Sequence, residues 1–188
     1  MTVTQFFAAA LAESFASGVA AAAGRSEISL FTAVSLRQRY EQSGFLPDVG
    51  CFINVVNAPV RLDCGGSTAG HARAYASSFR AADAAWRPPR RDHAAIRRAV
   101  EEAAAATESP GICITNVGVV DQALGPHSSR VTGFRTVVNR TGANYALVLH
   151  LAMFKGAFGM QLAFGTPSMD RSTVENVAKG LHDRAACL

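Results

Sequence analysis

The sequence predicts an α/β protein, a two-layer sandwich in which helices pack on a mixed, largely antiparallel sheet. Segments with helical spacing of apolar residues are interleaved with segments rich in β-branched and aromatic residues. Their order is helix, strand, strand, two helices, strand, three strands, helix, which is not a regular βαβ repeat. The length of 188 residues fits one domain with a substantial core.

The N-terminal part is predicted to form a helix and then a strand. Residues 3–23 place phenylalanine, leucine and alanine close to helical spacing, with Thr4 as the N-cap and Gly24 as the stop. The segment 27–36, EISLFTAVSL, is typical of a strand. The polar residues 38–48 contain glycine and proline, so we expect a loop there.

The segment 50–60 is predicted to be the strand around which the chain is organised. Its apolar residues occupy both phases of the β alternation, as in a strand that is buried on both faces. Asn54 and Asn57 interrupt the apolar run, so both are expected to find hydrogen-bond partners inside the protein.

Two helices and a strand follow. The break at Gly65–Gly66 precedes a helix over 68–85, which ends before two prolines. A second helix is predicted over 93–107, and after a Ser-Pro-Gly turn a strand over 112–120.

The last third is predicted to be β-rich. The segments 131–139, 144–154 and 157–164 are expected to be consecutive antiparallel strands, the last two joined by a tight Lys155–Gly156 turn. A helix over 171–186 ends the chain.

Composition narrows the function classes. Hydrophobic residues make up 49% and charged residues 17%, which indicates apolar surface reserved for a partner. The net charge of +4 is mild and no basic face is interleaved with aromatic residues, so nucleic acid binding is not expected. No apolar run reaches the roughly 18 residues of a spanning helix, and we expect a cytoplasmic protein without a membrane span.

The sequence shows no signature of a metal or a permanently bound cofactor. The four cysteines have no CxxC spacing, and no His-Cys cluster indicates zinc. Gly65–Gly66 lacks the lysine and the spacing of a phosphate-binding loop.

Two short motifs carry a resemblance to a known family. Ser35-Leu36-Arg37 is followed by Val-Gly-Cys-Phe-Ile-Asn-Val-Val over 49–56, and Ile-Thr-Asn-Val-Gly stands at 114–118. In their order and spacing they resemble the C-terminal lobe of chloramphenicol-acetyltransferase-like acyltransferases, the superfamily of condensation domains, polyketide-associated acyltransferases and alcohol acetyltransferases. The resemblance covers essentially the whole chain but only half of the family fold.

The resemblance implies transfer of an acyl group from a thioester, acyl-CoA or a phosphopantetheinyl carrier protein, to an alcohol or amine. The family's catalytic histidine stands in a His-His-x-x-x-Asp motif of the N-terminal lobe, and none of the five histidines here has that arrangement. We therefore expect residues 1–188 to be one domain, a C-terminal lobe in which no residue is assigned a catalytic role. Its expected partners are an N-terminal lobe chain with the motif, or a second copy, and an acyl carrier protein. The alternative is a non-catalytic binding or scaffolding module.

Arg37 and Asn116 are the supporting residues that the resemblance implies. Arg37 matches the arginine that pairs with the aspartate of the absent motif, for which a planar guanidinium is well suited; the competing interpretation is a solvated strand-end arginine. Asn116 either orients a substrate carbonyl or nucleophile or only ties a crossover loop to its neighbours, and the second role is slightly favoured.

Asn54, Gly118 and His127 are assigned to the substrate tunnel. His127 lies in the segment 121–129, which by resemblance crosses to the other lobe. For both His127 and His150, a structural histidine with satisfied hydrogen bonds is the favoured interpretation. Five arginines around the two prolines at 88–89 form either a solvated helix start or a surface for the phosphates of coenzyme A or an acidic carrier protein.

Overall fold

The computed structural model describes residues 1–19, 26–42, 52–87, 111–121, 125–136, 145–166 and 169–186, together with six positions between 94 and 102. Ten elements are named within the described residues, one of them a 3-10 turn that carries no number. They are α1 (Val3–Gly18), β1 (Glu27–Ser35), α2 (Arg37–Gln42), β2 (Ile53–Arg61), α3 (Thr68–Ala85), β3 (Gly111–Val119), the 3-10 turn (Gly125–Arg130), β4 (Tyr145–Phe154), β5 (Ala157–Phe164) and α4 (Arg171–Ala185).

The five strands form one mixed sheet in the order β2-β1-β3-β4-β5. The pairs β1/β3 and β3/β4 are parallel, and the outer pairs β1/β2 and β4/β5 are antiparallel. The predicted α/β class and the mixed sheet with helices packed on it are therefore confirmed. Parallel pairing has a larger share than expected, because the crossover from β1 to β3 and that from β3 to β4 both return the chain in the same direction.

The core lies between one face of the sheet and the helices. α1 contacts both α3 and α4, and α3 covers β2. Fully buried aliphatic side chains of the three central strands point into this layer; they include Leu30, Ile112, Ile114, Leu147, Leu149 and Leu151. The small residues Ala8 to Ala10 of α1 are completely buried, which permits the close helix packing that the alanine-rich sequence allows.

The prediction that the strand around residues 50–60 is buried on both faces is wrong. β2 is an edge strand of the sheet, and its burial alternates along the chain. Val56 and Ala58 face the core, whereas Ile53 and Val55 remain 63% and 36% exposed on the other face. Apolar residues on both phases thus mark a second apolar surface here, not a central position in the sheet.

The ends of the first two helices differ from the prediction. The N-cap of α1 is Thr2, not Thr4, because Thr2 forms a capping box with Gln5. The helix ends at Gly18, since Val19 is extended, and the predicted stop at Gly24 lies outside the described residues. Residues 37–42, expected mainly as loop, form the short helix α2.

The predicted strand over 131–139 is not a strand in its described part. Residues 131–136 are irregular and cross the outer face of the sheet, the face opposite the helices. One side chain, not backbone strand pairing, holds this segment. Gln161 Oε1 accepts the Thr136 backbone N–H at 2.8 Å, and Gln161 Nε2 donates to the Phe134 carbonyl at 3.4 Å. We call residues 131–136 the strap.

A buried polar cluster joins the three helices. Glu13 of α1 receives hydrogen bonds from His71 Nδ1 at 2.6 Å and Thr68 Oγ1 at 2.8 Å in α3, and from Arg184 Nε at 2.6 Å in α4. His71 Nε2 accepts the Asp63 backbone N–H at 3.1 Å, so both ring nitrogens are used. Burial raises the pKa of Glu13, but the three side-chain hydrogen bonds and the Arg184 charge together hold it below its ordinary value.

The helix predicted over 93–107 lies largely outside the described residues. Its described positions are helical, and Arg97 and Arg98 among them are exposed. Arg87, at the start of the basic run, donates to the carbonyls of Ala84 and Trp86 at 2.8 Å and so caps the end of α3.

Candidate functional site

Most of the candidate residues from the sequence analysis lie at one edge of the sheet. β1, β3 and β4 run parallel, so their carboxyl ends meet at this edge, and the antiparallel β2 begins there. Arg37 directly follows β1, Asn54 pairs with Val34 near the end of β1, and Asn116 and Gly118 lie at the end of β3. Crevices at the carboxyl ends of parallel strands are where open α/β sheets bind ligands. We call this the carboxyl edge.

A cavity of about 410 Å³ opens at the carboxyl edge, between the first turn of α1, α3 and the strand ends. Its wall contains the Tyr75 hydroxyl, hydrogen bonded to Thr32 Oγ1, and also Asn116 and Gly118. Burial raises the pKa of Tyr75 to about 12, so this hydroxyl stays protonated and can only donate or accept hydrogen bonds.

Asn116 uses its amide to hold the rim of this cavity. Nδ2 donates to Thr4 Oγ1 at 3.0 Å, and Oδ1 accepts the Gly118 N–H at 2.9 Å. Gly118 has φ of +79°, a conformation that suits glycine, at the point where the β3/β4 register shifts. The amide thus ties the end of β3 to α1.

Arg37 and Arg39 lie in different environments at the start of α2. The Arg37 guanidinium is exposed and stands 4.8 Å from the centre of the Phe52 ring, and it forms no ion pair with any residue that the structure describes. Arg39 forms a partly exposed 2.6 Å ion pair with Asp83 and lies 5.4 Å from the Trp86 ring centre. Arg37 is therefore the guanidinium with free hydrogen-bonding capacity at the carboxyl edge.

Of the other residues assigned to the tunnel, the structure describes the side chain of Asn54 but not that of His127. The expectation that both asparagines are buried and satisfied inside the protein is wrong for Asn57, which is exposed and accepts a hydrogen bond from Ser29 Oγ at 3.0 Å. It is also wrong for Asn54, whose Nδ2 is buried without a partner in the described part of the chain. His127 lies in the 3-10 turn, and its side chain is outside the described residues.

Asp121, the first residue of the predicted crossover loop, forms hydrogen bonds within this chain. Both carboxylate oxygens of Asp121 accept the backbone N–H of Lys155, at 2.9 Å and 2.7 Å. Lys155 has φ of +49° in the β4–β5 hairpin turn, so Asp121 stabilises an otherwise unfavourable turn conformation. The loop thus leaves the sheet at the carboxyl edge beside the hairpin.

His150 is the residue whose environment the sequence did not predict. It points to the outer face of the sheet, it is only 2% exposed, and neither ring nitrogen has a hydrogen-bond partner among the described residues. The prediction of a satisfied structural histidine is therefore wrong. His150 lies between Leu149 and Leu151, which face the core, so alternation places it on the outer face, where it lines a cavity together with the strap.

Comparisons with known proteins place the fold. No protein-family profile and no curated protein matches the sequence. The structure is similar to the condensation domain that mediates chain release from the enacyloxin polyketide synthase, with a TM-score of 0.61 and 12% identity over 96% of this chain and 34% of that one. It is also similar to the PapA2 acyl transferase, with a TM-score of 0.58 and 17% identity over 96% of this chain and 37% of that one. A third similar structure is the condensation domain of the monacolin K polyketide synthase MokA. Its TM-score is 0.57, with 17% identity over 97% of this chain and 41% of that one.

The chain has the fold of condensation-domain and chloramphenicol-acetyltransferase-like acyltransferases, and the resemblance found in the sequence is confirmed in this respect. It spans less than half the length of each of these structures. In the described part of the chain, no helix is long and apolar enough to cross a membrane, and no three acidic, histidine or cysteine side chains are grouped as metal ligands.

Proposed function

We propose that this chain is the C-terminal lobe of a condensation-type acyltransferase, which transfers an acyl group from a CoA or carrier-protein thioester to an alcohol or amine. The catalytic histidine comes from a separate N-terminal lobe that carries the His-His-x-x-x-Asp motif. The fold supports this because it matches nearly all of this chain but only 34% to 41% of the similar structures above.

The observation that carries the proposal is the distribution of exposed apolar side chains. Every large hydrophobic residue exposed in the described part of the chain lies at the carboxyl edge. They are Met1 and Val3 at the start of α1, Ile53 and Val55 at the start of β2, Val117 and Val119 at the end of β3, Met153 at the end of β4 and Phe158 at the start of β5. We call this set the apolar rim. Such a concentration indicates a surface that a partner covers.

The rim surrounds the polar groups that a second lobe would use. Arg37 follows β1 at the same edge and has its guanidinium exposed, so it is available to bind the motif's aspartate through two parallel hydrogen bonds. The cavity beside Asn116 and Gly118 opens here as well and becomes part of an enclosed tunnel once the other lobe covers the rim. The partner's histidine would act as the general base on the acceptor.

A carrier protein or coenzyme A is the proposed thioester donor. Two similar structures fit an assembly with further domains: a nonribosomal peptide synthetase, FmoA3, and a complex of an X-domain with OxyB from teicoplanin biosynthesis. Arg97 and Arg98 are exposed and suit the phosphates of either donor.

Reconstitution tests the proposal. The purified 188-residue chain is assayed for thioester-dependent acyl transfer alone and after co-expression with a chain that carries the His-His-x-x-x-Asp motif. We expect no turnover alone, and both complex formation and turnover for the pair. Acyl transfer by the isolated chain would contradict the split-lobe proposal. A complex that binds acyl-CoA without turnover would instead favour the non-catalytic module.

A further inference from the structure

The exposed side of α3 carries a regular row of four residues. Arg73, Ser77, Arg80 and Ala84 follow one another at helical spacing, and all four are exposed. Because an α-helix turns by about 100° per residue, they lie within a strip about 60° wide. The opposite side of the helix, which includes Tyr75, is buried against β2 and α1. We call the four exposed residues the α3 seam.

Both arginines of the seam lack a counter-charge. Arg73 and Arg80 form no ion pair and no hydrogen bond with any residue that the structure describes. Asp83, the one acidic residue in the sequence of α3, is bound instead by Arg39 of α2 at 2.6 Å. On α4, by contrast, the exposed Arg171 pairs at 2.8 Å with a glutamate of its own helix. The seam therefore presents positive charge that the described part of the chain does not neutralise.

The spacing and the small residues of the seam match a second helix. The two arginines are seven residues apart, which is about 10.5 Å along the axis of any α-helix. Ser77 lies between them, Ala84 lies beyond them, and the exposed Ala74 and Ala81 border the seam. Side chains this small permit another helix to approach to about 8 Å between the axes. The seam thus has both the repeat and the close access that helix packing requires.

The C-terminal end of the seam lies at the carboxyl edge. Phe79 of α3 lines the cavity there, and Asp83 binds α2 at the same place. Arg87, just beyond the helix, is exposed and adds a third positive charge at this end. None of the residues of the apolar rim belongs to the seam. The two surfaces are therefore distinct, and the rim is not needed for binding at the seam.

We propose that the α3 seam binds an acidic helix of a partner protein. Carboxylates seven residues apart on that helix receive paired hydrogen bonds from Arg73 and Arg80, while its backbone approaches Ser77 and Ala84. A flexible polyanion would use the charge but not the small residues, and the seam has no aromatic side chain for a nucleic acid base. The proposal concerns a surface outside the acyl-transfer site and does not depend on that activity.

A synthetic helix provides the probe. A stapled, fluorescein-labelled peptide of about 18 residues spans about 27 Å, enough for the seam and Arg87. It carries three glutamates at seven-residue spacing, and fluorescence anisotropy measures its binding to the 188-residue chain at low salt. We expect saturable binding with a dissociation constant on the order of 0.1 mM. A peptide with glutamine at the same three positions should bind at least about tenfold more weakly.

Variants of the chain test the seam itself, with folding checked by circular dichroism. Arg73→Gln combined with Arg80→Gln should weaken binding of the acidic helix at least about tenfold. Arg171→Gln combined with Lys179→Gln removes the same charge from the exposed side of α4 and should change binding less than about twofold. Ser77→Gln keeps the charge but fills the seam, and it should weaken binding at least about fivefold.

The helical form of the probe is tested separately. An unstapled peptide with the same three glutamates and two central prolines cannot form a continuous helix and should bind at least about fivefold more weakly. Absence of saturable binding by the wild type, equal loss in the α4 variant, or equal binding of the proline peptide overturns the proposal. Tighter binding of a short RNA duplex than of the acidic helix also overturns it, whatever the outcome of reconstitution.

Discussion

Glu13 Oε1 lies 2.6 Å from His71 Nδ1, and this contact connects the first helix of the chain to α3. The other carboxylate oxygen, Oε2, binds Arg184 of α4, also at 2.6 Å. Both acidic oxygens and the histidine ring are largely buried. A single carboxylate therefore connects α1, α3 and α4.

Glu13→Gln should be strongly destabilising. The amide keeps the shape but leaves the Arg184 charge without its partner, and breaking such a buried pair costs about 3 kcal/mol in the free energy of unfolding. Urea denaturation followed by circular dichroism measures the change. Glu175→Gln is the control, because the Glu175–Arg171 pair is exposed and should contribute no more than about 0.5 kcal/mol. Equal losses of unfolding free energy in the two variants would show that the buried cluster contributes no more to stability than the exposed pair.

The stability of the chain should depend on pH through the same carboxylate. The pKa of Glu13 in the folded chain lies below its ordinary value of 4.5, so its contribution is fully present above that pH and is lost as the pH falls through the folded pKa. Between pH 5 and 3 the wild type should lose more unfolding free energy than Glu13→Gln. Parallel curves for the two proteins would contradict the lowered pKa.

Arg37→Ala and Arg39→Ala should rank in opposite order in their effects on the stability of the isolated chain and on its association with the partner lobe. Arg39→Ala removes an ion pair with Asp83 and should lower the stability of the isolated chain by about 1 kcal/mol, while Arg37→Ala should change it little. In the assembled pair we expect the reverse: Arg37→Ala leaves a buried aspartate unpaired and weakens association by about 3 kcal/mol. Calorimetric titration with the motif-bearing chain measures this. Equal losses would mean that Arg37 is no anchor.

The two buried histidines should respond oppositely to the same substitution. His150→Leu removes two buried nitrogens without partners and should raise the unfolding free energy of the isolated chain by about 1 kcal/mol. His71→Leu removes a ring that satisfies Glu13 and should lower it by about 3 kcal/mol. Thermal unfolding of both variants beside the wild type measures the difference. A destabilised His150→Leu would indicate that the ring has a partner in the folded chain.

The isolated chain should self-associate through the apolar rim when its partner is absent. Sedimentation velocity at tens of micromolar is expected to show dimers or larger species. The double variant Ile53→Glu with Val119→Glu places charges on the rim and should shift the chain to monomer, whereas Asn176→Glu on the exposed face of α4 should not. A wild-type chain that remains monomeric without binding an apolar dye would contradict the half-enzyme proposal.

Most secondary structure could be predicted from the sequence, because it depends on short-range pattern. The bounds of β1, α3, β4, β5 and the last helix agree with prediction within about two residues at each end. The 131–139 segment was predicted wrongly because its pattern matches a strand, yet its described part pairs with no strand of the described sheet and is held by one side chain, Gln161.

The sequence by itself determined the α/β class, the motifs around Arg37 and Asn116, and the absence of a His-His-x-x-x-Asp motif, because each depends on residue types close together in the chain. The tertiary structure decided which strand lies at the edge and that the exposed apolar residues meet at one end of the sheet. It also decided that His150 and the strap line one cavity. These features depend on the order and direction of strands far apart in sequence, and local propensity carries no information about either.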